Sequence, residues 1–335
     1  MEGRHYPHVR RSESRDGKDV LVLREVLQIV FYIPLDNYDI AEAVTRALEV
    51  YRRGVGISPQ TICYATDPAP DWEGGRSLLE EDGWRATRDW IRPGKQRHFM
   101  EDFTEESHFF KSRTKYNYEF AIWLTGEPNA PTGYEFSYMA RVPWRSQSPE
   151  SVSVVEASVP TEFIEEHGPN RLRELALEMA AQLPFASGHC GLVIEFRRAR
   201  RRLLGAIREE LLRYPGLHVT PLRIEGHAGT QVDGIHWLNF LGPPVLQALG
   251  GTEALRARLQ SPETTVRPLD AERAVVSLGA WPEAGDLSRG DTLPAYRELA
   301  RILEPWLHPF WVSDSYGWVG YTEDEVRRWW RRLLD

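Results

Sequence analysis

Cysteine is nearly missing from this chain, with only Cys63 and Cys190 in 335 residues. Two thiols cannot build the multi-bridge framework of a small secreted scaffold, and no CxxC or Cys/His spacing marks a zinc site. Both cysteines lie in apolar strand-like runs, QTICYAT and GHCGLVIEF, where a free thiol packs as a small hydrophobe. Excess positive charge is lacking too: 41 Lys and Arg face 49 Asp and Glu, a net charge of −8. Gripping a phosphate backbone needs clustered cations, so direct nucleic-acid binding is not expected. No apolar run approaches the roughly 18–20 residues that cross a bilayer, and residues 1–19 hold no apolar core of a secretory leader. A cytoplasmic protein without membrane segments is the expectation. The sequence also has no G-x-S-x-G, P-loop, H-E-x-x-H or dinucleotide fingerprint, so no cofactor, no metal and no catalytic set are expected.

The residues that are present describe a folded protein. Hydrophobic residues make up 41% and charged residues 27%, the balance of a globular chain rather than a disordered one. The length allows one large domain or two ordinary ones, since single cores stop growing at about 250–300 residues. Residues 1–19 read as a flexible polar tail, and 20–335 as one domain with a possible subdomain seam near 188–200. Residues 20–33 read as a strand or hairpin, followed by a helix with a capping-box-like start at Asp39 and Glu42. Residues 68–115 are irregular, charged and rich in Pro, Gly and Trp, the composition of a surface insertion. Strands at 118–125, 134–143 and 151–160 precede a helix at 163–183 and a strand at 188–196. An amphipathic helix from residue 197 comes next, then a hairpin at 265–278 and helices at 293–306 and after the capping box Thr322–Glu325. Consecutive strands followed by helices imply an α+β fold, a mostly antiparallel sheet covered by helices on one side.

Residues 234–251, GIHWLNFLGPPVLQALGG, form the most distinctive stretch: a short apolar strand, a break at paired prolines and a turn of helix stopped by two glycines. His236 within it and His189 in GHCG each enter an apolar strand, where a hydrogen-bonded core histidine is the plain reading. An enzyme of unrecognised class using His189 or His236 with a carboxylate is the alternative. Glu283 and Asp286 sit among Pro and Gly as in a turn. The cations of residues 197–202 share a helix with a clean apolar stripe, as on a solvated face.

GHCGLVIEF, RYPGL, GIHWLNFLGPPVLQALGG, Gly285-Asp286 and PAYRELARILEP, in that order, resemble the DUF3396 or type VI immunity family over residues 20–311. The resemblance implies an immunity protein that binds and blocks one cognate toxin, expected to be a basic nuclease, without cofactor or turnover. A scaffold within a secretion apparatus is the further alternative. An acidic surface with an aromatic anchor would suit a basic toxin, which selects Glu80, Glu81, Asp82, Trp84, Glu101, Asp102, Glu105 and Glu106 as candidate contacts. Charges that only keep a loop soluble are the plainer account of the same residues.

Overall fold

A computed structural model of the chain describes residues 6–15, 17–66, 75–92, 120–126, 132–141, 148–196, 201–220, 224–309 and 318–335. Its centre is one sixteen-residue strand, β2 (Lys18–Ile33), rather than a hairpin. Val, Leu, Ile, Phe and Tyr dominate it, and residues 22–27 and 29–33 are all buried, as in a strand covered on both faces. β2 pairs with β7 (Ser153–Pro160) on one side and β8 (Ser187–Phe196) on the other. Beyond β7 follow β6 (Glu135–Ala140), β5 (Phe120–Thr125), β3 (Tyr64–Thr66) and β4 (Arg76–Ser77). Beyond β8 follow β9 (Leu238–Leu241), β11 (Ala274–Leu278) and, at the edge, β10 (Thr264–Pro268). All pairings between these strands are antiparallel. β8 is hydrogen-bonded on both sides, to β2 and to β9.

Helices cover both faces of this sheet, not one. α1 (Asn37–Val55), α3 (Thr161–His167) and α4 (Pro169–Ala180) pack with Leu23, Leu27, Ile29, Phe31 and Ile33 of β2. The single helix expected at 163–183 is divided between α3 and α4 at Gly168, whose φ of 77° suits glycine. On the opposite face α6 (Val245–Ala248), α7 (Gly251–Arg258) and α8 (Pro294–Leu303) enclose a second apolar cluster with Leu241, Val266, Val276 and Leu278. α5 (Arg208–Arg213) follows a 3-10 turn at Arg201–Ile207, replacing part of the longer helix that the apolar stripe suggests. A Cβ on Gly205 would lie 2.9 Å from the Val319 carbonyl, so this stretch packs too tightly for a thicker backbone.

Two termini differ in how well their composition describes them. Arg11–Arg15 form β1 on β2, and Tyr6 and Val9 are buried in the core cluster, so this polar segment docks on the sheet. The cause is Glu25, fully buried on β2. Arg10 Nη2 donates to it at 2.8 Å, Val9 N at 2.9 Å and Thr161 Oγ1 at 3.0 Å, with His8 Nδ1 2.9 Å away. A buried carboxylate requires such partners, and the polar N-terminal segment supplies them. At the other end Thr322 and Glu325 form the expected capping box at the start of α9 (Glu323–Trp330). α1 differs: it starts at Asn37, whose side chain donates to the Ile91 carbonyl and accepts from Tyr138, so tertiary bonds fix its start.

Candidate functional site

The acidic-aromatic candidates divide on folding. A bend at residues 78–80 joins β4 to α2 (Glu81–Ile91), with Leu78 turned inward and Leu79 outward, 2% and 56% exposed. Glu80, Glu81 and Asp82 are exposed at the helix start, where carboxylates also favour the helix dipole. Their charge is locally balanced: Glu81 pairs with Arg88 at 2.8 Å and Asp82 with Arg85. Trp84 is not a surface anchor. It is 1% exposed, donates to Glu49 Oε1 at 3.1 Å and lies under the Arg52 guanidinium, which docks α2 on α1. An amphipathic helix buries one face, and in α2 that face holds Trp84, Thr87 and Ile91. Leu79 is the apolar group left outside, and the Leu78-Leu79 pair before an acidic helix start was its signal in the sequence. Glu101, Asp102, Glu105 and Glu106 lie outside the described residues.

The two distinctive segments, GHCG and GIHW, meet face to face. The register places His189 opposite Asn239, and the His189 and His236 rings stack with centroids 3.7 Å apart and planes within 5°. Gly191 makes this possible, because a Cβ there would sit 2.8 Å from His236 Nδ1. Asn239 clamps the segment by accepting from His236 N at 2.9 Å and donating to the His236 carbonyl at 2.7 Å. His236 Nε2 donates to the Asp233 carbonyl at 2.9 Å. His218 stands edge-on to both rings, and its Nε2 comes within 3.3 Å of Asp233 Oδ2 without hydrogen-bond alignment. Tyr32 donates to the same carboxylate oxygen at 2.7 Å. Behind them Arg332 lies 3.9 Å from the centre of the Trp329 ring and donates to the Pro215 carbonyl at 2.7 Å.

Electrostatics follow from burial, since Asp233 and the three histidines are at most 2% exposed. Burial pushes His189 down to about 3, with Asp233 opposing and His218 adding to the fall. It lowers His236 as well, helped by His189 and His218, so both stacked rings are neutral near pH 7. Burial favours a neutral Asp233, but His218, His189 and the Tyr32 hydroxyl pull its carboxyl below the usual range. Arg332 is pushed down to about 9 by burial, with Asp233 opposing, and remains a cation. The His189 or His236 beside a carboxylate that an enzyme would need is therefore present as Asp233 with its histidines, but it is packed core rather than the lining of a cleft. Asp286 is equally committed: it accepts from Arg213 and caps a 3-10 turn through Ser288 N. Among the described residues no His, Cys, Asp and Glu group has the arrangement of a metal site, and no helix is long and apolar enough to cross a membrane.

Residues 45–333 match the model of the family TsiV, described as type VI immunity for VRR-NUC. A solved structure of a T6SS protein from Pseudomonas aeruginosa aligns with a TM-score of 0.66 at 17% identity, covering 95% of this chain and 88% of that one. At that identity the likeness concerns the fold. No curated protein sequence matches the chain.

Proposed function

Because the chain belongs to the TsiV family of type VI immunity proteins, we propose that it neutralises its cognate toxin as a stoichiometric, non-catalytic complex, and that this toxin is a nuclease met in the cytoplasm. The family match over 45–333, whose description names a nuclease partner, carries the proposal. The packed state of His189 and His236 supports binding over turnover, because their ring nitrogens have no path to a substrate. Two free cysteines are in keeping with a reducing compartment.

For the contact surface, the proposal is the start of α2, with Glu80, Glu81 and Asp82 around the exposed Leu79, extended by Glu101, Asp102, Glu105 and Glu106. Exposed ion pairs are worth little, about 0–1 kcal/mol, so a basic partner can displace Arg85 and Arg88 at small cost. The test is co-expression. The chain restores growth to cells making its toxin, co-elutes with it in fixed ratio and stops its nucleic-acid cleavage in vitro. Loss of viability with no complex removes the proposal; a complex in which the toxin cleaves no nucleic acid removes the nuclease assignment alone.

A further inference from the structure

Far from α2, at the β10 edge of the sheet, a groove of about 280 Å³ runs between α4 and strands β10 and β11. The register puts Thr265 opposite Ser277 and Arg267 opposite Val275, so these side chains share the face on which α4 lies. α4 reaches them with Arg173 and Leu177 but leaves Thr265 and Arg267 exposed.

The polar groups of this groove are unusual in having too few partners. Arg173 is held by Asn170 Oδ1 at 2.6 Å and by the Gly279 and Ala280 carbonyls at 3.2 and 3.3 Å, over the ring of Trp237. Its Nε is buried with no acceptor, and no carboxylate among the described residues pairs with it. Burial lowers its pKa, as expected of a guanidinium taken from water without a counter-charge. Arg267 and Glu263 line the groove without an ion pair among the described residues. In a chain of net charge −8, two guanidiniums against the single unpaired carboxylate of Glu263 leave this groove net positive, a place suited to a further acidic group.

The strand edge beside the groove is closed to another strand. The Val266 carbonyl accepts from Arg256 Nη2 at 2.6 Å, and Pro268 has no N–H to offer. Recognition here has to run through side chains. Thr265 and Arg267 are two residues apart on one strand face, about 6.5–7 Å, which is also the side-chain repeat of an extended segment.

We propose that the groove receives an extended, carboxylate-bearing segment of the cognate toxin, with Arg173 and Arg267 gripping the acidic group and Thr265 and Ser277 its polar neighbours. The proposal rests on the toxin-binding reading and adds a contact remote from α2 and of opposite charge. Calorimetric titration with the purified toxin tests it, using the full chain as wild type, Arg267→Glu and Arg267→Lys, with amide exchange read over 263–280 in the free chain and the complex. Arg267 is exposed, so its variants fold; Arg173 is left intact because it also ties down the Gly279–Ala280 turn. Arg267→Glu weakens binding at least tenfold, Arg267→Lys by far less, and 263–280 gains protection in the wild-type complex. Wild-type affinity in Arg267→Glu, or no added protection at 263–280, overturns the groove while leaving the immunity reading intact. A wild-type chain that does not bind the toxin at all removes both.

Discussion

The histidine cluster on β8 and the groove on β10 stand on opposite faces of one sheet, and each contains polar atoms with no hydrogen-bond partner. His189 Nε2, His218 Nε2 and Asp233 Oδ1 are unpartnered inside, and Arg173 Nε at the groove. In the cluster, ring stacking, the Tyr32–Asp233 hydrogen bond and the Asn239 clamp use up the chemistry of these groups in holding two segments together. In the groove, Arg267 and Glu263 remain in water, where they cost the fold little and stay available. The same residue types thus specify structure where they are enclosed and stay exposed to solvent where they are not.

Substitutions can break this contrast. Asp233→Ala removes the acceptor of the buried Tyr32 hydroxyl and the carboxylate beside His218; leaving a buried donor unsatisfied costs about 1–3 kcal/mol, to be read from urea unfolding. Acid comes next. His189 titrates near 3 in the fold and near 6.5 when unfolded, so between these values the unfolded chain binds more protons and stability falls as pH falls. One such histidine removes about 2 kcal/mol over the first two pH units below 6.5, and the slope shrinks in His189→Asn. An unfolding midpoint independent of pH over that window contradicts the neutral stack. Gly191→Ala drives a methyl to 2.8 Å from His236, an overpacking worth about 1–3 kcal/mol. That loss diminishes in a His236→Ala background if the ring is what it meets. Arg267→Glu, on the other side of the contrast, changes stability by no more than about 0.5 kcal/mol. The smallest effect is expected at α2: combined Glu80→Lys, Glu81→Lys and Asp82→Lys slows toxin association several-fold at low salt, an effect that fades as salt rises, because Arg85 and Arg88 already offset part of the charge. Unchanged association rates in that variant move the contact elsewhere.

Much of the fold was legible because it is written locally. Apolar periodicity located α1, the strands around β2 and the C-terminal helix, and the Thr322–Glu325 capping box sits where expected. The errors share a cause. The N-terminal segment read as solvated because its polar residues answer a carboxylate on another strand, Glu25. Trp84 read as a surface anchor because its partner, Glu49, belongs to a different helix. His189 and His236 were singled out separately, but nothing in either segment shows that they stack.

By itself, the sequence determined the class of fold, the kinship with type VI immunity proteins and the absence of any recognisable catalytic motif, since each depends on composition or on motifs read within a few residues. The tertiary structure alone decided which polar groups are enclosed and which are left open. Gly191 makes room for a ring 45 positions away, and Arg173 and Arg267 line one groove only because α4 and β10 come together there. Those contacts are set by strand register and helix placement, and both belong to the whole sheet rather than to any one segment of it.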